Sequence, residues 1–282
     1  MEHSHDADEA MKAFADMHGV DLTIDEATNR RLVRKIDLNL LPVMCIVYGL
    51  NYLDKTTISY ASIMGFKGDT NLHGNDYSWV SSMFYFGYIA FEYPTNRLLQ
   101  LLPIGKFSAA AIVAWGTTLC CMAAVNSYGS ALAVRFILGV CESAVTPGFA
   151  LITYVLFSFH SCDLSYTDIS SSSQWYTKAE QGTRVGIWFS FNGFAQILGG
   201  LIAYAIARGV DKHGSGIEGW KINFLWTGLL TIVVGIIFFF VVPDNQLNAR
   251  FLSKEDQILA IERIRKNQQG GEFVLCPLQD LG

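Results

Sequence analysis

Apolar residues arrive in six long runs separated by short polar breaks, at residues 38–53, 77–102, 107–125, 128–153, 185–207 and 222–242. A helix crossing the roughly 30 Å of a bilayer core needs about 20 mostly apolar residues, and these runs are of that order. Lipid offers no partner for free backbone groups, and no alternating pattern suggests a barrel strand, so each run is predicted to be helical. The predicted fold class is an all-α polytopic membrane protein with six transmembrane helices in one bundle. The first run is short and passes straight into Asn51, Asp54 and Lys55, so its outer end is expected to face protein or water rather than lipid.

Beyond the sixth run the pattern changes. Ser253 and Asp256 make a capping-box-like start, and Ile258, Ile261 and Ile264 recur at helical spacing, which predicts an amphipathic helix under the bundle. The chain thus divides into a tail (1–36), a transmembrane bundle (37–249) and a final segment with this helix and a divergent end (250–282).

Composition agrees with the pattern. Apolar residues make up 51% of the chain and charged residues 16%, while the formal charge of -5 arises largely from acids in the first 26 residues. Nothing points to nucleic acid. His3, His5 and His18 lie among those acids in a segment that reads as a solvated tail; no metal site and no cofactor are assigned. The tail is too acidic for a signal peptide, so the first run is expected to act as an uncleaved anchor. Cys45, Cys120, Cys121 and Cys141 fall inside apolar runs as small hydrophobes, and no disulfide framework is implied.

Basic residues set the orientation. Arg30, Arg31, Arg34 and Lys35 precede the first run, Arg97 lies at the inner end of the second and Lys106 between the second and third, Lys178 and Arg184 between the fourth and fifth. Arg250, Lys254, Arg263, Arg265 and Lys266 follow the last. The alternate segments hold only Lys55, Lys67, Arg208, Lys212 and Lys221. This bias places both termini in the cytoplasm.

Charges inside apolar runs are costly, so each one retained is a functional candidate. Arg135 and Glu142 share the fourth run, and seven residues is nearly two turns, so both lie on one helix face. That face is expected to point into the bundle interior, on the side where a second half would dock. The first run supplies Asp54 and Lys55, and the second supplies Glu92, beside Pro94 and Asn96 near its inner end. A carrier of carboxylates needs a fixed cation to offset desolvation of its substrate, and Arg135 and Lys55 fit that role, arginine being able to donate two parallel hydrogen bonds. It also needs an acid whose protonation changes within the cycle, and Glu142 and Asp54 fit that one. Glu92 and Arg97 are assigned to a cytoplasmic gate. A structural alternative is that Arg135 and Glu142 neutralise partners and hold helices together. Gly193, Ala195, Gly199, Gly200 and Ala203 would let another helix approach the fifth run closely, and Trp79, Trp220 and Trp226 read as interfacial anchors and packing.

Four stretches carry a family resemblance: NYLDKTTISYA at 51–61, RFILGVCESAVTPGF at 135–149, QWYTKAEQGTRVGIWFSFNGFAQILGG at 174–200 and LSKEDQILAIERI at 252–264. They resemble the major facilitator superfamily and, within it, the anion:cation symporter group of fungal allantoate permease-like transporters. The resemblance runs from about Arg30 to Gln269. It implies a proton symporter of allantoate, nicotinate or a similar small carboxylate in the plasma membrane. It also implies that the acid–base pair on the first helix and the arginine–glutamate pair on the fourth serve substrate binding and proton coupling. Those positions are Asp54, Lys55, Arg135 and Glu142.

The chain departs from the family pattern in several places. Lysine stands at 55 where many relatives have arginine, and the loop motif after the second helix is reduced to Arg97, Gly105 and Lys106. Residues 154–172, ending in a serine run, interrupt what should be a short cytoplasmic loop; joining Thr153 directly to Ser173 restores the family-like LITSQWYTKAEQ, as a retained intron would explain. The superfamily has two six-helix halves with the substrate site between them, and this chain matches the amino-terminal half. A partner half or self-association is therefore expected, and the chain alone is not expected to transport. The alternative function is a non-transporting membrane fragment or regulatory half that only associates with other helices. Membrane-embedded enzyme chemistry has no support, since no metal-spaced histidines, nucleophile elbow or phosphate loop is found.

Overall fold

The computed structural model describes residues 25–153, 175–214, 216–244 and 249–269, and among these the regular structure is helical. The stretch 154–172 and the histidine-bearing tail lie outside the described residues. The elements are α1 (Glu26–Ile63), the short α2 (Phe66–Asp69), α3 (Asp76–Leu101), α4 (Ile104–Met122), α5 (Tyr128–Glu142), α6 (Val145–Thr153), α7 (Lys178–His213), α8 (Gly219–Val241) and α9 (Lys254–Gln269). Helix α1 packs on α7 and α8, α3 on α5, and α4 on α8 and α5.

The six predicted runs are all helical, with three differences in detail. The first is not short: α1 has 38 residues, about 57 Å of helix, beginning inside the segment read as tail and continuing well past Asp54. It is continuous because its buried positions recur every three or four residues, through Leu40, Met44, Val47, Leu50, Asp54, Thr57, Ile58 and Ala61, so one stripe faces the core throughout. Asp54 and Lys55 are therefore mid-helix residues, not the start of a loop. The fourth run is broken into α5 and α6 by a turn at Ser143 and Ala144; Pro147, four residues after Ser143, has no N–H to donate back to the Ser143 carbonyl. Finally, five helical segments are long and apolar enough to cross a membrane by length and composition, at Glu26–Ile63, Ile104–Met122, Tyr128–Phe149, Glu180–Lys212 and Gly219–Val241. Helix α3 has the length, 26 residues, but Asp76, Glu92, Asn96 and Arg97 lower its apolarity.

Glycines set the closest helix approaches. A Cβ at Gly139 of α5 would sit 2.0 Å from the Phe84 carbonyl oxygen of α3, and one at Gly87 would sit 2.2 Å from that of Phe136. Gly116 and Gly228 play the same part between α4 and α8, where a Cβ at either would come within 3 Å of the other's carbonyl oxygen. The small residues expected to pack in α7 do so in part: Ala195 meets Gly49, Gly199 meets Leu53 and Ala203 is buried, whereas Gly193 has open space around it. Trp220 is fully buried and donates to Asp69 Oδ2 at 2.7 Å, while Trp79 is exposed.

Helix α9 begins as the sequence predicts, with the Asp256 N–H donating to Ser253 Oγ at 3.2 Å. Asp256 accepts from Lys35 (2.6 Å) and Arg31 (3.0 Å) of α1, and Arg263 pairs with Glu180 of α7, so α9 bridges two long helices at one end of the bundle. The Lys35 ammonium, hydrogen-bonded to it, holds the Asp256 carboxyl below the usual carboxylate range. Nearby, Asp37 accepts both Nε (3.3 Å) and Nη2 (2.8 Å) of Arg184, which fastens α1 to α7 directly. Gly105 and Lys106 have a structural role: Lys106 binds Asp244 through its backbone N–H at 2.9 Å and its ammonium at 3.2 Å, and a Cβ at 105 would come 2.9 Å from the Val242 carbonyl oxygen.

Candidate functional site

The buried stripe of α1 carries Asp54 into the core, and the buried stripe of α5 (Ala131, Arg135, Leu138, Gly139, Glu142) does the same for Arg135 and Glu142. Asp54 and Glu142 are fully buried and Arg135 is 3% exposed. Lys55, one residue further along α1 and so turned about 100° away, reaches across to donate to Glu142 Oε1 while its side chain stays 30% exposed. It also donates to Asn51 Oδ1 at 2.8 Å, an i to i+4 contact along its own helix. Trp115 of α4 donates its indole N–H to Asp54 Oδ2 at 3.0 Å.

Two acids and two bases thus meet in one buried cluster, with no net formal charge when all four are ionised. That balance offsets the cost of removing each from water. Arg135 lies within electrostatic reach of both carboxylates and sits 5.7 Å from the ring centroid of Phe224 on α8. Its Nε and Nη2 are nevertheless buried without a protein acceptor. Arg135 and Glu142 are enclosed within this bundle, with Lys55 of α1 against Glu142 and Phe224 of α8 beside Arg135.

Beside the cluster lies a cavity of about 310 Å³ between α1, α3, α6 and α7. Lys55 lines it, and Asp54, Glu142 and Arg135 do not. Much of the rest of the wall is aromatic, including Tyr48, Phe84, Tyr88 and Phe189, with Asn51, Asn192 and Thr146 as polar members. Glu92 and Arg97 are exposed on α3 and take no part in lining it. Sequence reading missed Trp115, Phe224 and the aromatic wall, since each lies within an apolar run and looks like packing. Asn51 carried a usable signal, standing four residues before Lys55 on the same helix.

Helices of spanning length packed around a buried charge cluster, with one lysine reaching a cavity, are the architecture of a multi-pass membrane protein. The profile of the Major Facilitator Superfamily matches residues 44–160. An uncharacterized transporter of Schizosaccharomyces pombe is 43% identical over 247 residues, 88% of this chain and 44% of the relative. The allantoate permease of Saccharomyces cerevisiae is 38% identical over 95% of this chain and 46% of its own length, and the thiamine pathway transporter of that yeast is 38% identical over 86% and 42%. Among solved structures, a bacterial homologue of the human lysosomal transporter Spinster, inward-facing and occupied, superposes with a TM-score of 0.53 at 18% identity, covering 72% of this chain and 43% of that one. The chain is similar to these transporters over 86–95% of its own length. It spans about half the length of the curated relatives it matches, which are named transporters or permeases rather than enzymes.

Proposed function

We propose that the chain forms part of a secondary transporter that moves a small organic anion, such as allantoate, nicotinate or a similar carboxylate, together with protons. The observation that carries this is the position of Lys55, which pairs with a buried carboxylate on one side and borders a cavity on the other. A substrate carboxylate entering the cavity competes with Glu142 for Lys55. Deprived of its cation, Glu142 lies uncompensated in a low-dielectric site and takes up a proton, so anion and proton occupy the site together. Asp54, held by Trp115 and coupled to Arg135, is the second proton site, and Arg135 supplies fixed positive charge behind both carboxylates. Glu92 and Arg97 act at the cytoplasmic gate.

Further parts of the proposal concern assembly. The chain is taken to meet another six-helix half or a second copy through the face of α7 that bears exposed Phe194, Ile197, Leu198 and Leu201. The segments 1–36, 37–249 and 250–282 are taken as tail, bundle and cytoplasmic helix with its divergent end, in a plasma-membrane protein with both termini inside. The test is uptake of radiolabelled allantoate and nicotinate into vesicles containing the purified chain under an imposed pH gradient, with and without added longer relative. Saturable uptake that needs the gradient and disappears with Lys55→Met supports the proposal; pH-independent uptake, or uptake unaffected by Lys55→Met, refutes it.

A further inference from the structure

The wall of the cavity narrows the chemistry of its occupant. Among the described residues, Lys55 is the one charged side chain that lines it, so the charged contact this wall offers is to an anion. Aromatic rings come from two directions: Phe84 and Tyr88 from α3, Tyr48 from α1 and Phe189 from α7. Phe84 lies 5.6 Å from the Lys55 ammonium, and Tyr48 is fixed edge-on against Trp188 at 4.4 Å and tilted against Phe189 at 5.7 Å. Rings held this way favour a flat π-surface over a puckered or flexible chain of equal bulk, because offset and edge-to-face contacts need a ring on both sides. Asn51 adds a directional contact. It is 6% exposed, its Oδ1 is occupied by Lys55, and its Nδ2 is buried with no protein acceptor, leaving a donor beside the cation.

We propose that Tyr48, Phe84, Tyr88 and Phe189, with Lys55 and Asn51, make this site prefer planar aromatic or heteroaromatic carboxylates over puckered or flexible aliphatic acids. The carboxylate binds Lys55, the ring lies among the aromatic side chains, and a ring acceptor takes the Asn51 N–H. This rests on the anion-transport proposal above and deepens it by naming the substrate class.

The experiment measures equilibrium binding to the full chain in lipid nanodiscs, by calorimetry, with four probes of similar size: benzoate, nicotinate, cyclohexanecarboxylate and benzamide. Benzoate is expected to bind about tenfold more tightly than cyclohexanecarboxylate, and benzamide, which lacks the charge, not at all. Tyr48→Leu and Phe84→Leu, each shown by size exclusion to remain folded, should bring benzoate to the level of cyclohexanecarboxylate without weakening the latter. Nicotinate should lose affinity in Asn51→Leu while benzoate, which has no ring acceptor, loses less. Equal affinity for benzoate and cyclohexanecarboxylate, both abolished by Lys55→Met, would overturn the aromatic selectivity and leave the anion site standing. A preference for benzoate that survives both ring variants would overturn the assignment to these residues. Failure of the folded wild-type chain to bind any of the carboxylates would overturn the anion site itself.

Discussion

Lys55 and Glu142 form an ion pair across the contact between α1 and α5, with the lysine on the cavity wall and the carboxylate fully buried behind it. The asymmetry matters more than the pair. On the proposed cycle the partly exposed lysine exchanges Glu142 for the substrate carboxylate, and the buried Glu142 is left without its cation.

Glu142→Gln therefore separates binding from coupling. The amide can still accept from Lys55 but cannot change charge, so anion binding should persist within about threefold, a difference worth only ~0.7 kcal/mol. Accumulation driven by a pH gradient should vanish, leaving exchange of external for internal anion. Measuring both on one vesicle preparation decides the matter: gradient-driven accumulation by the Gln variant would remove Glu142 from the coupling role.

Trp115→Phe tests how Asp54 is held. The variant keeps the ring but removes the N–H that meets Asp54 Oδ2, and a buried carboxylate oxygen left without its donor costs about 1–3 kcal/mol. A lower unfolding temperature is expected, and it should be largely absent when Asp54→Leu, which removes the acceptor, is already present, because the two residues share one interaction. Additive losses in the double variant would show that Trp115 acts through packing alone.

How far the sequence foretold this site depends on which signal each residue carries. Asp54, Lys55, Arg135 and Glu142 were legible because a charge in an apolar run stands out, and because a seven-residue spacing places two of them on one face. Their mutual contact was not, since helical periodicity fixes which face of α1 or α5 is polar but not which helix it meets. Trp115 and Phe224 were invisible for the opposite reason, being apolar residues in apolar runs. The length of α1 was misjudged because Asn51, Asp54 and Lys55 look like a helix end in one dimension, whereas Asp54 continues the buried stripe. The glycines of α7 were anticipated, yet the tightest approaches involve Gly87, Gly139, Gly116 and Gly228, which depend on helix pairings that periodicity does not specify.

The basic-residue bias predicts that both termini lie on the cytoplasmic side. Reporter fusions at each end, read out in intact cells, give the answer directly. An external signal from the carboxy-terminal fusion would mean an odd number of crossings, and α3, with its lower apolarity, would be the first helix to re-examine.

Gly139→Ala probes the α3–α5 contact that brings Phe84 to the cavity. The added methyl would overlap the Phe84 carbonyl oxygen at 2.0 Å, and backbone cannot step aside as a side chain can. The helices must separate, at a cost of about 1–3 kcal/mol by the usual penalty for overpacking. Thermal unfolding in detergent should fall accordingly, whereas Gly193→Ala on α7, which meets open space, should leave it unchanged. Equal stability of the two variants would show that α3 and α5 do not cross at glycine.

The attachment of α9 should depend on pH through Asp256. Its carboxyl is held below the ordinary carboxylate range, first by the hydrogen bond from Lys35 and then by the charges of Lys35 and Arg31. A group whose folded pKa is depressed stabilises the folded contact fully above its unfolded value, near 3.9, and loses that contribution as pH falls through the folded value. Attachment should thus be constant across neutral and mildly acidic pH and weaken only in strong acid. Asp256→Asn should produce the weakened state at neutral pH, by about 0.5–1 kcal/mol, since Lys35 and Arg31 are themselves 43% and 62% exposed and water screens the pairs. Hydrogen exchange over residues 254–260 reads this out: faster exchange in Asp256→Asn than in wild type at pH 7 is expected. Restoration by acid-insensitive hydrogen bonding would show instead as identical exchange in the two proteins, and would mean that Arg263 and Glu180 alone hold α9 to the bundle.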